Sequence, residues 1–299
     1  MVLELLKGGK SDLIITLDRQ TTYFPGDQIQ ARLDLKTEKD LKIQQGLIAL
    51  LCEVKYQIRS RRQTRHGSTT YLHWASESQV VDKQIFLEEG VIPAGINQSF
   101  EFKGLIPKDA FPTLDGKIIK VNWLVKATLN RKMAIDVNSE TGFTVSSRLP
   151  AEVNPQAVSQ FDFKEYRHSS DPDKADISFL LPRTDWALGE IINGQLVVQA
   201  HKEFKLTDIR VELIYTENVP AGNGNVYQGI ERINLAEATK FDPGQTLTLP
   251  FQITVPQKGY PSINPSQSEI TWSLKGILAR RLATDYYTEQ ALQVYSQTG

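Results

Sequence analysis

A short basic segment is the part of the sequence with the clearest capacity for binding chemistry. No acidic residue occurs between Lys55 and His66. Six residues of the segment carry, or on protonation can carry, a positive charge: Lys55, Arg59, Arg61, Arg62, Arg65 and His66. Because each guanidinium presents a planar pair of donors, a group of arginines favours bidentate contacts with phosphate or carboxylate groups. The segment is therefore a candidate site for an anionic partner.

Aromatic residues follow the basic segment. Tyr71 and Trp74 enclose Leu72 and His73, and we include Tyr71 and Trp74 in the predicted partner-binding surface. A second interpretation stays open, in which the segment is a solvated loop whose charges only maintain solubility. Nucleic acid is a weaker candidate, because a chain with a net charge of −1 has little electrostatic attraction for it outside this cluster.

Other reactive residue types occur without a catalytic or metal-binding spacing. The four histidines are scattered along the chain: His66, His73, His168 and His201. No pair of them has a spacing suited to zinc, so we expect no metal. No nucleophile elbow is present, so we expect no cofactor and no enzymatic activity. The one cysteine, Cys52, lies among apolar residues and cannot form an intrachain disulfide. It predicts a buried thiol and a reducing compartment.

Strict alternation of apolar and polar residues dominates the chain. Val121, Trp123 and Val125 share one side of a predicted strand, and Trp272 occupies the same side of a similar strand. This period of two is typical of half-buried antiparallel strands, and no segment has a sustained helical period. The pattern predicts an all-β, immunoglobulin-like sandwich fold. It also favours core packing for both tryptophans over a role as sugar-stacking platforms in a carbohydrate-binding or enzymatic sandwich.

The sequence repeats itself, which predicts two copies of one β-domain. Pairs at an offset of 149 residues include Gly95 with Gly244, Phe102 with Phe251, and Trp123 with Trp272. Gly26 and Gly189 match at an offset of 163 instead. The difference of 14 residues predicts an insertion at 59–78, which we interpret as a loop. We expect domains at 1–150 and 174–299, joined by a linker at 151–173.

Charge is distributed unequally between the two halves. Residues 1–150 hold 21 basic and 17 acidic residues, a net charge of +4, whereas residues 151–299 hold 13 and 18, a net charge of −5. This asymmetry is compatible with an anionic partner for the first half and also with no function at all. Neither the first ten residues nor the longest apolar run, Gly46–Cys52, suits a signal peptide or a spanning helix. We expect a cytoplasmic protein, with peripheral membrane association as an alternative.

Several motifs resemble the arrestins and their α-arrestin relatives. In the first half, Tyr23–Asp27 opens a strand, and Phe100–Phe102 leads into Leu105-Ile106-Pro107. In the second half, Gly189–Gly194 and Pro250-Phe251 occupy the matching places. The resemblance covers nearly the whole chain and is closest to minimal α-arrestins, bacterial sporulation-control proteins and retromer-type arrestin-fold proteins. It implies two tandem antiparallel β-sandwiches of the arrestin N- and C-type.

The resemblance implies a scaffold or adaptor that binds a protein partner, not an enzyme. Binding could use the basic loop, which suits a phosphorylated or otherwise anionic element or an anionic membrane surface. It could also use strand addition at a sheet edge, for which Leu13–Leu17 and Tyr286–Tyr295 are the candidates. The alternative is a structural subunit of a membrane coat. No Pro-Pro-x-Tyr motif occurs, and no phosphate-sensing Asp/Arg core can be matched position by position.

Overall fold

A computed structural model of the chain describes residues 11–18, 22–64, 67–132, 134–148, 150 and 163–297. These residues form strands and turns, and none of them lies in a helix, which confirms the all-β fold class. No helix in this described part is long and apolar enough to cross a membrane. The strands, numbered in chain order, are β1 (Ser11–Leu17), β2 (Gln28–Thr37), β3 (Leu41–Ile43), β4 (Gln45–Thr64), β5 (Gly67–Leu87), β6 (Gly90–Ile92), β7 (Asn97–Leu105), β8 (Leu114–Asp115), β9 (Ile119–Asn130), β10 (Val137–Phe143), β11 (Lys164–Arg167), β12 (Ala175–Leu181), β13 (Asp185–Ala187), β14 (Ile191–Ala200), β15 (Phe204–Leu206), β16 (Asp208–Val219), β17 (Asn225–Ala236), β18 (Thr239–Phe241), β19 (Thr246–Thr254), β20 (Glu269–Ala279) and β21 (Tyr286–Tyr295).

The first of two compact units comprises Met1–Tyr56, Trp74–Asp115 and Ile119–Ser146. One of its sheets has the strand order β1-β2-β7, and the other has the order β10-β9-β4-β5, with β8 beside β9. Every second residue of β9 is buried. A Cβ atom added to Gly104 of β7 would lie 3.3 Å from the side chain of Leu50 on β4. The two sheets therefore pack face to face as a sandwich.

The second unit comprises Gln57–His73, Gly116–Ile118 and Ser147–Gly299. Its sheets have the orders β11-β12-β14-β19 and β13-β21-β20-β16-β17. A Cβ atom added to Gly276 of β20 would lie 2.5 Å from Leu196 and 3.2 Å from Phe179, which belong to the opposite sheet. This is a second, closely packed sandwich. The predicted domain ranges stay a prediction, since residues 151–162 of the predicted linker lie outside the described residues.

The turns that open β2 and β14 have the same geometry. The backbone N–H of Gly26 donates to the carbonyl of Ile106 at 3.0 Å, and that of Gly189 donates to the carbonyl of Val255 at 2.9 Å. The two glycines have φ angles of +89° and +86°, a left-handed conformation that glycine adopts without steric cost. Gly26 and Gly189, which are 163 residues apart, thus occupy equivalent positions in the two sandwiches.

The two tryptophans make equivalent hydrogen bonds in the two units. Trp123 Nε1 donates to the carbonyl of Phe111 at 2.8 Å, and Trp272 Nε1 donates to the carbonyl of Tyr260 at 2.9 Å. Both indole rings are buried, as the alternation predicted. Each ring packs into the core of its own unit, with its one donor satisfied by a backbone carbonyl.

Of the two strands predicted to lie at sheet edges, one is an edge strand and the other is paired on both sides over part of its length. In the described part of the chain, β1 pairs only with β2, so the strand that contains Leu13–Leu17 is an edge strand. By contrast, β21 lies between β20 and β13, because Asp185–Ala187 pairs in parallel with Gln293–Tyr295. The prediction of an edge at Tyr286–Tyr295 was wrong for its last three residues. A three-residue strand such as β13 leaves too short a pattern to identify from sequence.

Candidate functional site

The insertion predicted as a loop at 59–78 forms two strands instead. β4 continues to Thr64 and β5 begins at Gly67. β4 has 20 residues whereas its counterpart β16 has 12, so the insertion lengthens a hairpin. The loop prediction failed because polar residues occupy both faces of this hairpin, which removes the alternation that marks a half-buried strand. The β-branched and aromatic residues Thr69, Thr70 and Tyr71 still favour extended backbone.

Three of the predicted arginines project from the polar part of β4. Arg59, Arg61 and Arg62 are all exposed. Arg61 Nε donates to the hydroxyl of Ser68 across the hairpin at 2.7 Å. Among the described residues, no carboxylate lies within 4.0 Å of these three guanidinium groups. The other two members of the predicted cluster, Arg65 and His66, lie outside the described residues.

The strand geometry divides the three arginines between two faces. Successive side chains of a strand point to opposite sides, so Arg59 and Arg61 share one face and Arg62 lies on the other. Two residues along a strand correspond to about 6.6 Å, which sets the spacing of the Arg59 and Arg61 backbone positions. The three described arginines therefore form a pair on one face of β4, with the third on the opposite face.

Tyr71 stands on the neighbouring strand of this hairpin. Its ring stacks on that of His73, with centroids 5.6 Å apart. Tyr71 and Leu72 are both about half exposed, at 48% and 52%. Arg59, Arg61, Arg62 and Tyr71 all belong to the second compact unit, on the neighbouring strands β4 and β5.

Lys55 and Trp74 belong to the first unit and have other partners. The ammonium group of Lys55 pairs with Glu53 at 2.9 Å. The indole ring of Trp74 lies 5.4 Å from Lys120 Nζ, a cation–π distance, and Lys120 also pairs with Asp115 at 2.5 Å. These two predicted residues are thus engaged within the first sandwich.

Residues near the turn between β16 and β17 contact the segment of β4 around Gln57 and Arg59, within the second unit. The side-chain amide of Asn225 donates to the carbonyl of Gln57 at 2.9 Å. The backbone N–H of Asn223 donates to the carbonyl of Arg59 at 3.0 Å. These bonds fix the backbone at Gln57 and at Arg59. The Asn223-Gly224 pair is a turn signal in the sequence, but a sequence does not show which strand such a turn meets.

Glu217 is a second residue that sequence reasoning missed. Its side chain is fully buried and accepts hydrogen bonds from the backbone N–H groups of Lys117 at 2.9 Å and Ile118 at 2.8 Å. The Tyr215 hydroxyl donates to the same carboxylate at 2.7 Å. Burial, followed by this hydrogen bond, raises the pKa of Tyr215 above its usual value. The sequence does contain a signal for this residue: Glu217 is a carboxylate on the core-facing side of β16, where the alternation predicts an apolar residue.

The comparison with protein families agrees with the architecture. Residues 13–152 match the family described as arrestin (or S-antigen), N-terminal domain. The chain carries an arrestin N-terminal domain. The predicted resemblance to the arrestin-like superfamily is thereby confirmed. No curated protein matches the chain.

The arrestin domain contains the one cysteine, and its surroundings leave it unreactive. Cys52 is buried, and burial raises the pKa of its thiol from 9.0 to about 12. The thiol is therefore protonated at neutral pH and unsuited to nucleophilic chemistry. Among the residues that the structure describes, no group of three or more histidine, cysteine or acidic side chains could hold a metal ion.

Proposed function

We propose that this chain is a non-enzymatic, cytoplasmic arrestin-like adaptor, which binds an anionic segment of a protein partner through Arg59 and Arg61, with Arg62 as a further contact on the opposite face of the strand. Arrestin-family proteins act generally as scaffolds that bind other proteins. The observation that carries the proposal is the set of three exposed guanidinium groups with no carboxylate in ion-pair range in the described chain. The single buried cysteine supports a reducing compartment.

Other arginines of the protein differ from these three. Arg32 pairs with Asp34 at 2.9 Å, and Arg210 pairs with Asp208 at 2.8 Å. Arg167 likewise contacts two carboxylates. An arginine paired in this way already has its charge compensated, and only an unpaired one attracts an external anion at full strength. The hairpin therefore has available charge that these other arginine sites lack.

The shared face of Arg59 and Arg61 indicates the form of the partner. Alternate residues of an extended peptide repeat at about 6.6 Å, the same spacing as these two arginines. An extended segment with phosphorylated or acidic residues at alternate positions could therefore engage both guanidinium groups at once. Lys55, Arg65, His66, Tyr71 and Trp74 stay predicted contacts, and strand addition to β1 stays a second predicted mode.

A peripheral membrane-coat subunit is the second candidate function. Tyr71 and Leu72 are exposed on the same hairpin as the arginines. Aromatic side chains beside basic residues suit the interface of an anionic membrane, where rings insert at the headgroup level and guanidinium groups contact phosphates. This candidate predicts binding to anionic vesicles in the absence of any protein partner.

The test compares the variant Arg59→Ala/Arg61→Ala/Arg62→Ala with wild type in affinity purification from the native host, followed by mass spectrometry. The variant Lys42→Ala/Lys103→Ala/Lys258→Ala is the control, since it removes the same charge from other exposed positions. We expect the arginine variant to lose a partner that the control retains. Equal recovery of every partner by both variants would contradict the proposal. If the arginine variant loses binding to phosphatidylserine vesicles but keeps every protein partner, the coat subunit is favoured.

A further inference from the structure

β5 is a long edge strand with exposed apolar side chains. It pairs with β4 on one side, and no described strand pairs with its other side. From Trp74 to Leu87 it belongs to the first unit. Trp74, Val80 and Ile85 are exposed by 44%, 54% and 45%, and no proline interrupts the strand. Free edges of this length and composition are templates for pairing with another strand.

We propose that β5 pairs antiparallel with β5 of a second copy of this chain, so that the two first-unit sheets become one continuous sheet. Such a dimer has a two-fold axis perpendicular to the sheet, and the same surface is used by both copies. Rotation about this axis leaves each face of the sheet on the same side, so the two copies present the same face in the same direction. Residues opposite each other must therefore both be even-numbered or both be odd-numbered, because side chains alternate between the faces.

Three charged residues discriminate between the allowed registers: Glu77, Asp82 and Lys83. When Val80 lies opposite Val80 of the second copy, Glu77 lies opposite Lys83, and the symmetry repeats this pair. Registers centred on Glu77, Asp82 or Lys83 place like charges opposite each other. Registers centred on Gln79 or Val81 place Glu77 and Lys83 opposite uncharged residues. Cross-strand pairs of opposite charge stabilise a sheet and like pairs destabilise it, so the charges select the register centred on Val80.

The same register also covers an exposed apolar side chain. It places the two Val80 side chains against each other, whereas the Phe86 ring already packs on Phe100 of its own chain, with centroids 5.0 Å apart. Val80, which is exposed by 54%, would then be covered by its copy. Glu77 already accepts a hydrogen bond from the Tyr56 hydroxyl at 3.2 Å, which holds its carboxylate on the face that Lys83 of the second copy would approach. This pairing of β5 does not involve Arg59, Arg61 or Arg62.

Disulfide trapping tests the register directly. In the proposed dimer, Val80→Cys places two thiols opposite each other, with Cβ atoms about 5 Å apart. Ser78→Cys is the matched control, because its copies lie four residues apart along the strands, about 13 Å. Mild oxidation should convert Val80→Cys to a covalent dimer and leave Ser78→Cys and wild type, with its buried Cys52, monomeric on a non-reducing gel. Efficient trapping of Ser78→Cys and not of Val80→Cys would overturn the register.

Charge reversal tests the pairing without a crosslink. Sedimentation analysis over a concentration series should show a reversible dimer for wild type. Lys83→Glu should weaken dimerisation roughly tenfold or more, since it places two pairs of like charges opposite each other. Glu77→Lys/Lys83→Glu should restore it. The proposal is overturned if wild type is monomeric across the series, or if Lys83→Glu dimerises as tightly as wild type.

Discussion

The buried carboxylate of Glu217 accepts a hydrogen bond from the backbone N–H of Ile118 at 2.8 Å. Together with the bond from Lys117, this contact fixes the short segment Gly116–Ile118 in the second unit. A carboxylate without contact with water needs several donors to offset its lost hydration. The pattern indicates that Glu217 has a structural role, in which its charge is compensated by backbone N–H groups and by the Tyr215 hydroxyl.

Substitution of Glu217 should release this segment. Glu217→Ala leaves the N–H groups of Lys117 and Ile118 without their acceptor, at a cost of about 1–3 kcal/mol for each unsatisfied buried donor. Glu217→Gln keeps one oxygen and should have an intermediate effect. Amide hydrogen exchange at Lys117 and Ile118 measures this directly, and we expect exchange to be fastest in Glu217→Ala. Unchanged protection in both variants would show that other contacts hold the segment.

Two neighbouring glycines provide a matched test of the turn that meets Arg59. Gly222 and Gly224 have φ angles of +70° and +69°, so alanine is strained at either position by about 1–2 kcal/mol. A Cβ atom at Gly222 would also lie 2.6 Å from the carbonyl oxygen of Arg59, whereas nothing lies within 4 Å at Gly224. We expect Gly222→Ala to lower the unfolding temperature more than Gly224→Ala. Equal shifts would show that the contact with Arg59 is unimportant.

The repeat made most of the fold predictable from sequence. Gly26 and Gly189 need a left-handed conformation, and Trp123 and Trp272 need a buried site with one acceptor, so each pair marks the same position in its sandwich. Such local requirements leave a readable pattern. The alternation in β9 and β20 likewise reports burial on one face of a strand.

The candidate site was less predictable, because its structure depends on pairing between distant residues. None of the side chains that the structure describes between Arg59 and Thr70 is buried, so this polar segment has no alternation to detect. The anchor between Asn225 and Gln57 joins residues far apart in the chain. Sequence patterns of a single chain identify residue types, and they did not show that Arg62 lies on the opposite face from Arg59 and Arg61 until the strand was known.

Cys52 should be unreactive in the folded protein. Because burial raises its thiol pKa to about 12, iodoacetamide at pH 8 should label the denatured chain and leave the native chain unmodified. The raised pKa also contributes stability that is present below pH 9 and is lost as the pH rises towards 12. Rapid native-state labelling at pH 8, measured by intact mass, would contradict a buried thiol.

We expect Arg59 and Arg61 to bind an anionic peptide segment. Fluorescence anisotropy measures this binding with a labelled peptide that carries phosphoserine at two alternate positions, and the unphosphorylated peptide is the reference. We expect wild type to bind the phosphorylated peptide, and Arg59→Ala/Arg61→Ala to weaken binding by about tenfold or more. Arg59→Lys/Arg61→Lys should be intermediate, since lysine keeps the charge and loses the bidentate contact. Equal affinity of wild type and the alanine variant for the phosphorylated peptide would show that Arg59 and Arg61 do not bind the anionic segment.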